Sequence, residues 1–164
     1  MAMAVSTQMM GFYLPGILSL ATADAAVPLG FIQASMAAAT VFGQLVLVRQ
    51  LSWPPRRLLL AGIPAMALGF LFLSVAGNLW MLFGGVGMLG WGLGVGGPGF
   101  SASGSLSVSQ AEQGAVAGFL AACPALGYVL GPLGAGLLYE IHPRIPFALV
   151  VIVLALVWPM LWRH

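Results

Sequence analysis

The few charged side chains of this 164-residue chain all lie outside six long apolar stretches. The chain has five arginines, no lysine and three acidic residues, and together these make up 5% of the sequence. A membrane-spanning helix needs about 20 mostly apolar residues to cross the hydrocarbon core of a bilayer. The six stretches approach or exceed that length, at residues 1–20, 25–48, 58–76, 79–100, 114–138 and 146–162. The sequence therefore predicts an all-α integral membrane protein, with six transmembrane helices in a single domain over residues 1–164.

Composition excludes several other classes of protein. A soluble domain carries roughly 25% charged residues, and a disordered chain has low hydrophobicity, whereas this chain is 61% hydrophobic. Five scattered arginines cannot follow a phosphate backbone, so we expect no nucleic-acid partner. The single cysteine, Cys123, rules out an internal disulfide and a cysteine-based metal cage. We expect neither a metal nor another cofactor, and the lipid bilayer is the expected surrounding.

Short polar segments separate the predicted helices and carry helix-capping signals. Asp24 precedes the second helix and is a candidate N-cap. Gly77-Asn78 breaks the chain between the third and fourth helices. Ser109 and Glu112 have the spacing of a capping box, in which each side chain satisfies the other residue's backbone donor. These signals support the division of the chain into six helices.

The placement of the arginines predicts the orientation of the helices. Arg49, Arg56 and Arg57 lie in the loop between the second and third predicted helices. Arg163 follows the sixth helix on the same side, whereas Arg144 is alone on the opposite side. Arginines concentrate in cytoplasmic loops of membrane proteins. We therefore expect a multi-pass protein of the inner (plasma) membrane with both termini in the cytoplasm.

Glycine is concentrated in the fourth predicted helix, where nine of the sixteen residues 84–99 are glycines. Gly85, Gly87 and Gly90 match the spacing of a dinucleotide-binding loop, but no strand precedes them and they lie within a predicted membrane span. Small residues allow membrane helices to approach closely, which is the simpler interpretation. A second, compatible interpretation is a deformable helix that lines a pathway, with a kink at Pro98.

The fifth predicted helix carries the most specific motif of the chain. It contains Gly127-x3-Gly131-Pro132-x2-Ala135-Gly136. This segment resembles the eleventh helix of transporters of the major facilitator superfamily, and it is similar to the Gly-x3-Gly-Pro-x2-Gly-Gly signature of drug/proton antiporters. It departs from that signature at Ala135 by one methyl group. The loop with Arg49, Arg56 and Arg57 resembles a degenerate copy of a cytoplasmic loop of the same family.

The resemblance implies that the chain is the C-terminal six-helix half of such a transporter, with the first predicted helix here matching the family's seventh. In that fold the substrate path lies between two halves near the middle of the bilayer. The implied function is efflux of small organic or drug-like compounds. This function requires a second half to form the other wall of the substrate path. The expected partners are a small-molecule substrate and either the missing N-terminal half or a second copy of the chain.

Polar and aromatic residues inside the helices that resemble the family's pathway helices are candidates to line the path. Polar side chains within a membrane often mark such pathways. The simpler interpretation for each glutamine is a hydrogen bond between helices, and for each aromatic residue it is packing. The candidates are Gln8, Tyr13, Gln33, Trp91 and Tyr128, with Gln44 as a weaker one near the helix end.

Two other functions are alternatives for a chain of six apolar helices, a small self-assembling pore and an intramembrane serine protease. A small self-assembling pore would have rings of polar or charged side chains along its helices, and these helices are too apolar for an ion path. An intramembrane serine protease needs a base within hydrogen-bond reach of its serine. For the serines at 101–109 the only histidines that could be the base are His142 and the terminal His164. His142 is expected on the opposite side of the membrane from these serines. No enzyme activity is expected.

The orientation leads to a prediction that reporter fusions can check. Fusions at Pro54 and after His164 are expected to report the cytoplasm, and a fusion at Pro143 the opposite side, because of the arginine distribution. The measurement pairs a reporter active only in the cytoplasm with one active only outside. A cytoplasmic signal at Pro143 would contradict the orientation.

Overall fold

The computed structural model describes residues 26–161, and every regular element in that range is a helix. The first predicted helix, residues 1–20, lies outside the described residues, as do Asp24, Gln8 and Tyr13. The described elements follow the second to sixth predicted helices in order. They are α1 (Ala26–Phe42), α2 (Pro55–Val75), α3 (Leu79–Leu106), α4 (Gln113–Ile141) and α5 (Ile145–Met160).

Helix α1 does not end at Phe42 but continues as a π-helical segment, Gly43–Val48, and one short α-helical stretch, Arg49–Leu51. Ser52 then takes the left-handed backbone conformation, with φ of 45°, and stops the helix. Pro54 is extended, and Pro55 opens α2 at a position where a helix needs no backbone donor. The loop predicted between the second and third helices is therefore short, and its arginines lie largely within the helix ends.

Two helices are longer than predicted. The expected fourth helix ended at residue 100, whereas α3 continues to Leu106 and includes Ser101, Ser103 and Ser105. Helix α4 runs to Ile141 and so takes Glu140 into its last turn, where it is exposed. Neither extension contains a proline, so the backbone hydrogen bonds of each helix continue past the end of its apolar stretch.

The described helices differ in whether they can cross a bilayer. Four of them are long and apolar enough to do so, α1 with part of its π-helical segment, α2, α3 and α4. Helix α5 has 16 residues, which at about 1.5 Å per residue is short of the ~30 Å hydrocarbon core. Within residues 26–161 the structure therefore shows five helices, and the predicted count of six is not confirmed.

Helix α3 is the centre of the bundle, with α2 and α1 packed on opposite sides of it. A Cβ atom added to Gly62 of α2 would lie 2.6 Å from Cα of Gly96 of α3. On the other side, a Cβ at Gly90 or Gly94 would meet the carbonyl oxygens of Met36 and Thr40 of α1. The predicted role of the glycines in close packing is thus seen directly, as backbone-to-backbone contact on two faces of one helix.

Apolar side chains from all five helices fill the space beside these contacts. Phe70 and Leu73 of α2 and Leu82 of α3 are buried in one cluster. Phe147 of α5 is fully buried in it, and α4 contributes Ala135. Helix α4 contributes little else, because over most of its length its side chains are exposed.

The capping predictions have different outcomes. The side chain of Asn78, predicted only as part of a break between helices, accepts a hydrogen bond from the backbone N–H of Met81 at 2.9 Å and so is the N-cap of α3. Only half of the capping box forms. The carboxylate of Glu112 accepts from the Ser109 backbone N–H at 3.3 Å, but the Ser109 hydroxyl donates to that carboxylate at 2.6 Å. The hydroxyl therefore does not cap α4, which has no side-chain N-cap bond.

Hydrogen bonds from Ser109, chiefly from its hydroxyl and secondly from its backbone N–H, lower the pKa of the exposed Glu112 carboxyl. A lowered pKa means that this turn is held by the ionised carboxylate at neutral pH. The contribution is lost as the pH falls through the folded-state pKa.

The glycine contacts of α3 lead to a prediction on stability. We expect Gly62→Ala to destabilise the protein by about 1–3 kcal/mol, because the added methyl group meets backbone atoms of α3 that cannot rotate away. Gly97→Ala is the matched control, since a Cβ at Gly97 has nothing within 4 Å, and it should be neutral or stabilising by up to about 1 kcal/mol. Unfolding in mild detergent measures both. Equal effects would contradict the packing described here.

Candidate functional site

The described pathway candidates lie on three different helices. Gln33 of α1 and Trp91 of α3 are half-buried, whereas Tyr128 of α4 is 46% exposed. Gln44 lies in the π-helical segment and is exposed. The other two candidates, Gln8 and Tyr13, lie outside the described residues.

Trp91 and Tyr128 are not brought together. Helix α3 meets α4 near Gly104, where an added Cβ would lie 2.6 Å from Cδ1 of Leu120. At 3.6 residues per turn, Gly104 lies about 140° around α3 from Trp91. Trp91 is thus on the side of α3 away from this contact with α4, and the structure gives no contact between the two aromatic residues.

The π-helical segment at the end of α1 presses against the middle of α3. A Cβ at Gly43 would lie 3.2 Å from the carbonyl oxygen of Trp91 and 3.4 Å from Cα of Gly94. A π-helical turn widens the helix and often marks a functional position. The sequence did not predict this π-helical segment, and Gly43 is the one residue of it that could have suggested close contact with another helix.

Helix α4 has three distinct faces, separated by roughly 120° on a helical wheel. The first is a buried stripe with one residue per turn, formed by Gly127, Gly131 and Ala135. The second, which we call the small face, is exposed and consists of Gly114, Gly118, Ala121 and Ala125. The third, the large apolar face, has side chains that are each more than half exposed, namely Phe119, Leu126, Leu130, Leu133 and Leu137.

The motif of the fifth predicted helix is divided between these faces. Gly127 and Gly131 are buried, while Pro132 and Gly136 are half-buried and lie toward the small face. Ala135, where the motif departs from the antiporter signature, is 4% exposed and belongs to the apolar core cluster. Its extra methyl group therefore fills core space in this chain.

A pair of polar contacts fastens α5 to α2. The first is made by Arg56, whose Nε and Nη2 donate to the carbonyl oxygen of Leu161 at 3.1 and 2.8 Å. That carbonyl lies just past the end of α5, where helix carbonyls lack partners within the helix. Arg56 thus caps α5. It also places the start of α2 and the end of α5 at the same end of the bundle, as an even number of crossings requires.

The second contact compensates for a proline. Pro64 lies inside α2, and because it has no backbone N–H, the carbonyl of Leu60 four residues earlier loses its helical donor. The indole Nε1 of Trp158 donates to the Leu60 carbonyl oxygen at 3.2 Å. In lipid an unsatisfied carbonyl is costly, since no water is available. We call this contact and the Arg56 contact the α2–α5 clasp. Nothing in the sequence indicates this pairing.

The remaining loop arginines have no such role. Arg49 and Arg57 are both exposed, and the guanidinium of neither makes a hydrogen bond within residues 26–161. His142 makes no hydrogen bond to a serine of that range, and its Nδ1 accepts one from the backbone N–H of Arg144 at 3.2 Å. His142 follows the C-terminal end of α4, whereas Ser105 lies before the N-terminal end of that helix. Across the described part of the chain, no three His, Cys, Asp or Glu side chains gather as a metal site would require.

Comparisons with known proteins give one match. The family model described as Major Facilitator Superfamily matches residues 1–164. No curated protein and no solved structure matched the chain. Members of this superfamily are membrane transporters rather than enzymes, in agreement with the apolar helices described above.

The clasp leads to a prediction that a double-mutant cycle can check. Trp158→Phe is expected to destabilise the protein by about 1 kcal/mol, because the Leu60 carbonyl loses its donor. Pro64→Ala restores a backbone N–H for that carbonyl. Trp158→Phe should therefore cost less in the Pro64→Ala background, and unfolding in mild detergent measures all four proteins. An equal cost in both backgrounds would show that Trp158 acts by packing alone.

Proposed function

Because the chain belongs to the Major Facilitator Superfamily, we propose that it is the C-terminal six-helix half of a secondary transporter that exports small organic compounds. The superfamily match carries the transport function itself. The half-transporter organisation and the export of apolar compounds are the finer parts of the proposal, and the faces of α4 support them.

The small face of α4 is the surface on which a second six-helix half would pack. Its residues carry at most a methyl group, and a Cβ at Gly114 or Gly118 would have nothing within 4 Å. Membrane helices approach most closely where such residues line up, because van der Waals contact drives their association in lipid. The large apolar face, in contrast, has the bulky side chains that suit contact with lipid. A helix with both faces exposed is expected at a boundary between two halves.

The prolines of α4 support a moving role for this helix. Pro124 and Pro132 lie inside α4 and each removes a hydrogen bond from the ladder. Alternating access in such folds is largely a rocking of one bundle against the other. A long helix that is weakened at two points and buried only along one stripe would bend at low cost during such a movement.

Among the described candidates, Tyr128 is the best placed to meet a substrate. It lies at the edge of the small face, and 46% of it is exposed. Trp91 faces away from α4, so we assign it to packing. Gln33 remains a candidate on α1. Gln8 and Tyr13 stay candidates from the sequence alone. Uncharged polar and aromatic groups of this kind suit small, largely apolar compounds.

The coupling ion would not be carried by this half. In α1 to α5, arginine and acidic side chains occur only in the terminal turns, at Arg49, Arg56, Arg57 and Glu140. Proton carriers in membranes are titratable groups placed along the path. If the assembled transporter is driven by protons, the carrier then belongs to the other half.

The experiment compares the chain alone with the chain joined to a six-helix N-terminal half of a transporter of the same superfamily. Efflux of a fluorescent lipophilic cation from proteoliposomes is the measurement. We expect no saturable efflux by the chain alone, because one half supplies one wall, and efflux by the joined protein. Saturable efflux by monomers of the chain would contradict the proposal, whereas efflux that requires dimers would identify a second copy as the other wall.

Two tryptophan substitutions in the joined protein then locate the boundary. Ala121→Trp on the small face should reduce efflux at least tenfold, because the bulky ring keeps the halves apart. Leu126→Trp on the large apolar face is the matched control and should leave efflux within about twofold, since aromatic residues are tolerated against lipid. Equal loss in both would remove the small face from the proposal.

A further inference from the structure

Two adjoining cavities lie along one face of α2 and take no part in the proposed transport path. The first is a groove of about 330 Å³ between α2 and α5, lined by apolar side chains that include Ile63, Ala67, Leu68, Leu154 and Trp158. The second has about 450 Å³ and is lined by Pro54, Arg56, Arg57 and Leu60. Both volumes are in the range of small-molecule sites.

The Trp158–Leu60 hydrogen bond joins one residue from the lining of each cavity. Leu60 lines the cavity with the arginines, and Trp158, which donates to the Leu60 carbonyl, lines the apolar groove. Along α2 the lining therefore changes from cationic at Arg56 and Arg57 to apolar at Ile63 and Ala67. An occupant of this surface must combine an anionic group with an apolar chain.

The length of this surface matches one leaflet of a bilayer. From Arg57 to Leu68 the helix rises roughly 16 Å, at about 1.5 Å per residue. Half of a ~30 Å hydrocarbon core is about 15 Å. A molecule with its charged group at Arg57 would therefore end its apolar chain near Leu68, at the middle of the bilayer.

The charges at the mouth are suited to a phosphate group. The guanidinium of Arg57 is exposed and makes no hydrogen bond within residues 26–161, while Arg56 is held in place by its bonds to Leu161. Neither cavity is lined by an acidic side chain. Arginine binds phosphate through a planar fork of donors, and basic clusters at the ends of membrane helices attract anionic lipids.

We infer that this surface binds an anionic phospholipid, with the headgroup phosphate at Arg57 and Arg56 and one acyl chain in the α2–α5 groove beside Trp158. The inference is independent of the transported compound. A lipid in this position covers the clasp and excludes water from the Leu60 carbonyl.

The test uses the full chain with Trp158 as its only tryptophan, after Trp53→Phe, Trp80→Phe, Trp91→Phe and Trp162→Phe. Its fluorescence is measured in bilayers that contain acyl-brominated phosphatidylglycerol or acyl-brominated phosphatidylcholine. Bromine quenches an indole only over a short range, so the quenching of Trp158 is strongest when a labelled chain lies in the groove. We expect stronger quenching by phosphatidylglycerol, with about a fivefold preference for each arginine that contacts the phosphate.

Variants separate the site from general surface charge. Arg57→Gln is expected to lower the phosphatidylglycerol preference about fivefold, and Arg57→Lys to keep most of it because the positive charge remains. Arg49→Gln is the matched control, since Arg49 lines neither cavity. Ala67→Phe fills the groove and should reduce quenching by both lipids.

Three results would overturn the inference. The first is equal quenching of the unsubstituted Trp158 protein by the two lipids. The second is a loss of preference with Arg49→Gln as large as with Arg57→Gln, which would indicate diffuse attraction to the membrane surface. The third is release of the lipid by soluble glycerol phosphate, which would identify a site for a free anion.

Discussion

The backbone contacts of α3 with α1 and α2 determine where the other described helices lie. Gly62 and Gly96 bring α2 and α3 together so closely that no side chain fits between them, and Gly90 and Gly94 do the same toward α1. In lipid, apolar side chains gain nothing by leaving their surroundings, so close van der Waals contact must hold helices together. The α1–α2–α3 unit is consequently the tightest part of the described bundle.

Helices α5 and α4 join this unit in different ways. Helix α5 is attached to α2 by the clasp, which supplies donors for two carbonyls that the helices themselves leave without partners. Helix α4 has no comparable fastening and is buried along a single stripe. A bundle with one tightly packed unit and one loosely attached, proline-weakened helix has a natural place for movement, which is the basis of the proposed role of α4 at the boundary between two halves.

Prolines within these helices have consequences that depend on the neighbouring helix. Pro64 would leave a carbonyl unsatisfied in lipid, but Trp158 of α5 donates to it. The same two residues border the groove in which we place an acyl chain. One proline thus links helix packing, the position of an aromatic side chain and a surface suited to lipid.

Much of the fold follows from the sequence because the bilayer restricts the choices. Long uncharged stretches can only be helices in lipid, since every backbone donor and acceptor needs a partner within the segment. The close packing of the glycine-rich helix was predictable as well, because small residues let membrane helices approach one another. Helix ends were less predictable, as the extension of α3 to Leu106 shows, because serine neither breaks a helix nor marks a membrane boundary.

Pairings between distant residues were decided only by the tertiary structure. Nothing near Trp158 in the sequence indicates that it donates to Leu60, and nothing near Arg56 indicates that it caps α5. Trp91 and Tyr128 looked equally suited to line a path, but the packing of α3 turns Trp91 away from α4. Periodicity predicts the faces of each helix, whereas the rotation of one helix against another depends on which small residues meet across the interface. That choice involves the whole bundle, and so no single stretch of sequence contains it.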